Sequence, residues 1–64
     1  MEDCKKYLVT YGSFYDGHYH LNNMDVDVYV RPDISQGMLA HKLEDMVSGI
    51  LDDRTVVIIN FWEM

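Results

Sequence analysis

The 64-residue chain has one cysteine and only five lysine or arginine residues. A lone cysteine, Cys4, excludes an internal disulfide, and the sequence has no Cys-x-x-Cys or Cys/His spacing typical of zinc sites. Eleven Asp and Glu residues give a net charge of −6, which opposes binding to nucleic-acid phosphates or anionic lipid. We therefore expect neither nucleic-acid binding nor membrane binding, and we expect no cofactor.

Long hydrophobic runs are also lacking. The longest apolar run, residues 55–62, is far shorter than the roughly 20 residues that span a bilayer. Residues 1–6 lack the apolar core of a secretory signal. These features favour a soluble protein that stays in a reducing cytoplasm.

Hydrophobic residues make up 48% of the chain, too many for a disordered tail. They indicate a single domain covering residues 1–64. A domain this short buries only about 60% of the surface that its unfolded chain exposes, so its core is marginal. Because a disulfide and a metal are not expected, self-association is the remaining support. We therefore expect a homo-oligomer.

Two segments rich in Tyr, Val and Thr, residues 5–15 and 18–30, flank Asp16-Gly17. Asp-Gly between such segments predicts a type I′ hairpin turn, because both central residues need positive φ. A two-residue turn sets Tyr7 opposite Val26 and Lys6 opposite Asp27. Alternation of side chains then places five residues on one face: Tyr7, Val9, Met24, Val26 and Val28.

A helix and a third strand are predicted after the hairpin. Pro32 ends the second strand, and Asp33 or Ser35 can cap a helix that runs to about Leu51. Helical spacing predicts a buried stripe of Leu39, Leu43, Met46 and Ile50, with Gln36, Glu44, Asp45 and Ser48 pointing away. Residues 55–62, dense in β-branched side chains, predict the last strand.

The element order β-β-α-β predicts an α+β fold with one helix on one face of a three-stranded sheet. Strand 3 can lie beside strand 1, giving the order 2-1-3, or parallel beside strand 2. We favour 2-1-3 because it makes the whole sheet antiparallel. It leaves one sheet face without a helix. The hairpin residues expected on that uncovered face are Leu8, Thr10, Phe14, Tyr19, Leu21, Asp25, Asp27 and Tyr29.

Strand 3 presents either the Val57, Ile59, Phe61 set or the set of Ile58, Asn60 and Trp62 to the uncovered face. We assign the second set outward because Asn60 is polar. Large aromatic side chains are favoured anchors of protein interfaces. We therefore predict a partner or oligomer interface that consists of Phe14, Tyr19, Tyr29, Ile58 and Trp62.

The two ends of the chain carry the strand sequences Lys6-Tyr7-Leu8-Val9-Thr10-Tyr11 and Val56-Val57-Ile58-Ile59-Asn60-Phe61. With them, the chain resembles the small acidic orphan proteins encoded by tailed bacteriophages and prophages. The resemblance covers these two ends only. It implies host takeover or the blocking of a host defence through binding of a host protein, in the host cytoplasm. It carries no catalytic or site residue.

Other residue clusters favour ordinary surface roles. His18 and His20 share one side of a strand, but no third metal ligand is evident, so we predict no metal site. Ser13 lies opposite His20, yet no carboxylate orients that imidazole and so small a sheet offers no deep pocket. We therefore predict no enzymatic activity.

Three functions remain open at this point. The first is a non-enzymatic protein-interaction domain that self-associates through the uncovered face or a strand edge. The second is an oligomer that sequesters a nucleotide-like signal in a pocket between protomers. The third is a mimic of DNA phosphates, carried by an acidic surface that includes Asp25, Asp27, Glu44 and Asp45.

Overall fold

The computed structural model of the protein describes residues 2–64. Its elements are β1 (Asp3–Tyr15), β2 (His18–Val30), α1 (Gln36–Leu51) and β3 (Val57–Glu63). The strands form one sheet in the order β2-β1-β3, and both strand pairs are antiparallel. The predicted α+β fold and strand order are confirmed.

The β1–β2 hairpin has the predicted register. Tyr7 pairs with Val26 and Lys6 pairs with Asp27, in a ladder that runs unbroken from the hairpin ends to the turn. Asp16 has φ of 53° and Gly17 has φ of 78°, so both central residues lie in the left-handed region that a type I′ turn requires.

Replacing Gly17 with Ala is expected to lower the free energy of unfolding by about 1–2 kcal/mol, because an L side chain is strained at positive φ. No atom lies within 4 Å of the added Cβ, so a steric clash contributes nothing. Gly49→Ala, in the last turns of α1, is the matched control. Its Cβ also enters open space, and helix propensity predicts a gain of up to about 1 kcal/mol. Urea midpoints that move in the same direction for both variants would contradict the turn assignment.

A β-bulge in β3 changes which of its side chains face the helix. Thr10 pairs with Asn60 and Tyr11 pairs with Ile58, so Ile59 is an extra residue without a partner on β1. Ile58 therefore lies on the helix side, where it packs against the core. Our assignment of Ile58 to the uncovered face was wrong, because the extra residue reverses the alternation of the strand. Asn60 and Trp62 do lie on the uncovered face, opposite Thr10 and Leu8.

The core lies between α1 and the covered face of the sheet. From the helix, Leu39, Leu43 and Val47 are buried. Ile50, which we predicted to be buried, is 58% exposed, and Met46 is only partly buried. The helix packs on the sheet through the residues spaced four apart, Leu39, Leu43 and Val47, and not through the predicted stripe that ends at Ile50. The other buried core residues are Tyr7, Val9, Tyr11, Val26, Val28, Val30 and Val56.

Side-chain hydrogen bonds fix both ends of α1. At the start, Ser35 Oγ accepts the Met38 N–H at 3.2 Å, which confirms Ser35 as the N-cap. At the end, Asp52 takes the left-handed conformation with φ of 51°. Ser48, expected to point away into solvent, is half-buried, and its hydroxyl donates to the Asp53 carbonyl at 2.7 Å.

Candidate interaction surface

The side of the sheet that faces away from α1, here called the open face, carries most of the predicted interface. Phe14, Tyr19, Tyr29 and Trp62 lie on it with between 45% and 62% of their surface exposed. Leu21 and Val57 on the same face are also exposed. Among residues 2–64, no element covers this face.

The apolar residues near the hairpin turn form one cluster on the open face. The rings of Phe14 and Tyr19 pack edge to face with centroids 5.3 Å apart. Gly12 lies beneath this cluster, because a Cβ there would be 3.4 Å from Leu21 and 3.5 Å from Tyr19. Val57 lies opposite Gly12 on β3. A Cβ at position 12 would meet both side chains at ordinary van der Waals distance, so the cluster lies directly over the backbone of Gly12. The sequence placed Phe14, Tyr19 and Leu21 on this face, but it assigned Val57 to the helix side, because the bulge at Ile59 was not foreseen.

The other half of the open face mixes apolar and charged residues. Leu8 lies between Trp62 on β3 and Asp25 on β2. Lys6 lies opposite Asp27, although their charged groups are not within 4.0 Å of each other. A polar strip crosses the middle of the face, where the Thr10 hydroxyl donates to Asn23 Oδ1 at 2.7 Å and Asn60 lies opposite Thr10. Polar groups therefore separate the hairpin cluster from Trp62.

His18 and His20 lie on the other side of the hairpin, beyond the end of the helix-packed core. His20 stacks on Tyr15 with ring centroids 4.0 Å apart, and its Nε2 is buried without a hydrogen-bond partner. Ser13 is the strand partner of His20, but no hydrogen bond joins their side chains. Within residues 2–64, no group of three or more His, Cys, Asp or Glu side chains is placed to hold a metal.

The four carboxylates singled out from the sequence do not come together. Asp25 and Asp27 lie on the open face, whereas Glu44 and Asp45 lie on α1 across the sheet. They therefore form no continuous row of the kind that imitates a DNA backbone. The one acid with a clear pKa shift is Asp53, in the loop before β3. Hydrogen bonds from the Thr55 hydroxyl and N–H, at 2.6 and 2.8 Å, lower the pKa of its carboxyl group.

A groove of about 730 Å³ runs along the start of α1. Its lining has both signs of charge, with Arg31 and Lys42 close to Glu2 and Asp33. Lys42 Nζ donates to the Tyr29 carbonyl and is 3.8 Å from Glu2 Oε2. Because these charges largely satisfy one another, the groove has no strong preference for an anion or a cation. Sequence reasoning did not identify this groove.

Comparison with protein-family models, curated proteins and solved structures found no match to this chain. Over residues 2–64, no helix is both long enough and apolar enough to cross a membrane.

Proposed function

We propose that the protein is a non-enzymatic interaction domain that binds other protein molecules through its open face. The observation that carries this proposal is the set of four large aromatic side chains that remain 45–62% exposed on a sheet face without a helix. The cluster near the hairpin turn, which contains Phe14 and Tyr19, is a contiguous apolar patch of the kind typical of protein-binding sites, and Trp62 lies beyond the polar strip. Tyr and Trp are also the residues that dominate binding energy at such sites.

The first partner that fits this face is a second copy of the chain. Strands of 13 residues rise about 3.3 Å per residue and neighbouring strands are about 4.8 Å apart, so the face covers roughly 500 Å². Two copies packed face to face would bury roughly 1,000 Å², which is near the lower limit of a specific interface. A two-fold axis would set the aromatic clusters of the two copies against each other.

A host protein is the second partner that we propose. The resemblance of the terminal strands to small phage orphan proteins supports a role in inhibiting a host or host-defence factor in the host cytoplasm. The net charge of −6 favours a target with a basic surface. The divided placement of the acidic residues gives less support to mimicry of DNA.

Light scattering coupled to gel filtration tests the self-association. We expect a particle of about twice the 7.5 kDa chain mass at micromolar concentration. Native mass spectrometry of the same sample separates this proposal from the small-ligand alternative. A mass of 7.5 kDa at every concentration would contradict the dimer, and a retained nucleotide-like molecule would favour a sequestering function instead.

A further inference from the structure

The outer edge of β2 has backbone groups that no neighbouring strand uses. β1 lies between β2 and β3, so β2 pairs on one edge only within the described part of the chain. On β1, the Phe14 N–H donates to Thr55 Oγ1 at 2.8 Å and the Lys6 carbonyl accepts the Met64 N–H at 2.9 Å. The backbone N–H and C=O groups of the even-numbered residues of β1 thus point towards β3, and those of its odd-numbered residues bond to β2.

Alternation in an antiparallel ladder then fixes the groups that β2 directs outward. The even-numbered residues of β2 bond to β1, because they pair with the odd-numbered residues of β1. The odd-numbered residues point their N–H and C=O groups away from the sheet. The hydrogen bond from Lys42 Nζ to the Tyr29 carbonyl is consistent with this assignment, because that carbonyl is one of the outward groups. Over residues 2–64, no hydrogen bond occupies the backbone groups of the remaining outward residues, which are Tyr19, Leu21, Asn23, Asp25 and Asp27.

This edge is regular enough to pair with another strand. β2 is 13 residues long and contains neither proline nor a bulge, whereas β3 has seven residues and the bulge at Ile59. Proteins usually protect exposed edges with proline, bulges, charged side chains or a covering element. The described chain places Lys42 beside Tyr29 near the end of β2, and the strand itself carries the charged side chains of Asp25 and Asp27.

The charge at the edge selects the kind of strand that can pair there. Asp25 and Asp27 are both exposed, and neither carboxylate has a cation within 4.0 Å among the described residues. We propose that the β2 edge accepts an extended basic segment of a partner protein as a fourth strand. Lys or Arg side chains at alternate positions of that segment would lie beside Asp25 and Asp27.

A second copy of this chain fits the edge less well than a basic segment does. Edge-to-edge pairing centred on Asp25 or Asp27 would place identical carboxylates opposite each other. The outward backbone groups of β2 lie at the side of the sheet, whereas the carboxylates of Asp25 and Asp27 lie on the open face next to this edge. The inference rests on the proposed function only in treating the protein as a binding domain, and the two can fail separately.

The experiment uses the full chain and a nine-residue capped peptide in which Lys alternates with Val and Thr, together with a control peptide that has Glu in place of each Lys. We expect the Lys peptide to bind and the Glu peptide not to bind. Amide hydrogen exchange followed by NMR should show new protection at Tyr19, Leu21, Asn23, Asp25 and Asp27. Binding without new protection on β2 would overturn the proposal, because it would reflect general attraction to an acidic protein.

Two variants sharpen this test. Asn23→Pro removes one outward N–H and should weaken binding of the Lys peptide about 10-fold relative to Asn23→Ala, which also loses the Thr10 hydrogen bond but keeps the N–H. Changing both Asp25 and Asp27 to Lys should reverse the preference between the two peptides. Equal affinity of the two Asn23 variants, or an unchanged peptide preference after the charge reversal, would exclude strand addition at this edge. Ile50→Ser, at the end of α1 on the other side of the sheet, should leave peptide binding unchanged.

Discussion

Replacing Leu43 with Ala is expected to lower the free energy of unfolding by about 2–5 kcal/mol. Leu43 has no exposed surface and lies at the centre of the helix row that packs on the sheet, so its truncation leaves a cavity that the small core cannot fill. A 64-residue domain has a total stability of roughly 3–10 kcal/mol. A large fraction of the variant molecules should therefore be unfolded, as measured by urea titration followed by circular dichroism.

Two companion variants make this result specific. Leu43→Met conserves volume and should cost less than about 1.5 kcal/mol, so it gives an intermediate point even if the Ala variant does not fold. Asp45→Ala, on the exposed side of the same helix, should be close to neutral. Equal losses at Leu43 and Asp45 would mean that the helix packs on the sheet through a different face.

Trp62→Ser is expected to convert the proposed dimer into a monomer. Removing a large aromatic anchor from an interface can cost 2 kcal/mol or more of binding energy, which corresponds to about a 30-fold weaker dimer. The melting temperature should fall with it, because dimerisation stabilises the folded state by mass action. Sedimentation velocity and thermal melts over a range of protein concentration measure both effects.

Ile50→Ser is the matched control for the loss of an exposed hydrophobic side chain. Ile50 is 58% exposed at the end of α1 and Trp62 is 48% exposed, but Ile50 lies on the opposite side of the sheet from the open face. We expect this variant to remain dimeric. A Trp62→Ser protein with the wild-type mass, or a monomeric Ile50→Ser protein, would contradict the open face as the dimer interface.

The hairpin was predictable because two independent signals specify one register. Asp16-Gly17 predicts the turn type, and the alternating Val26, Val28 and Val30 identify the buried side of β2. A shift of one residue would have placed Asp25 and Asp27 in the core, which is energetically excluded. The structure has the predicted pairs throughout this ladder.

Two placements could not be predicted because the residues concerned are apolar in either arrangement. In β3, Val57, Ile58 and Ile59 are interchangeable in hydrophobicity, so no pattern reveals that Ile59 is the extra residue of a bulge. In α1, Met46 and Val47 are both apolar neighbours, and helical spacing allows either to follow Leu43. Tertiary packing against the sheet decides both cases. The lesson is that alternation predicts faces reliably only where polar residues interrupt it.

The interface prediction shows the same division. The sequence placed four aromatic residues on the open face correctly: Phe14, Tyr19, Tyr29 and Trp62. The hairpin register fixes the side of the first three, and the polar Asn60, two residues before Trp62, indicates the side of Trp62. The register places Leu21 opposite Gly12, but the approach of Tyr19 to Gly12 was not predictable, since it is diagonal between β2 and β1. The outward direction of the β2 backbone groups can be deduced only when the strand order is known, because the order decides which edge of β2 has no partner.

The middle strand of the sheet comes first along the chain, and this arrangement has a consequence for the order of folding. β1 can pair with β2 as soon as residues 3–30 are available, but its second neighbour consists of residues 57–63. Pairing of Tyr7 with Glu63 closes a long loop, and such distant contacts slow folding. During synthesis, the backbone groups on one edge of β1 therefore have no strand partner until β3 has been made. We expect a chain shortened before β3 to form the hairpin transiently and to aggregate through that edge.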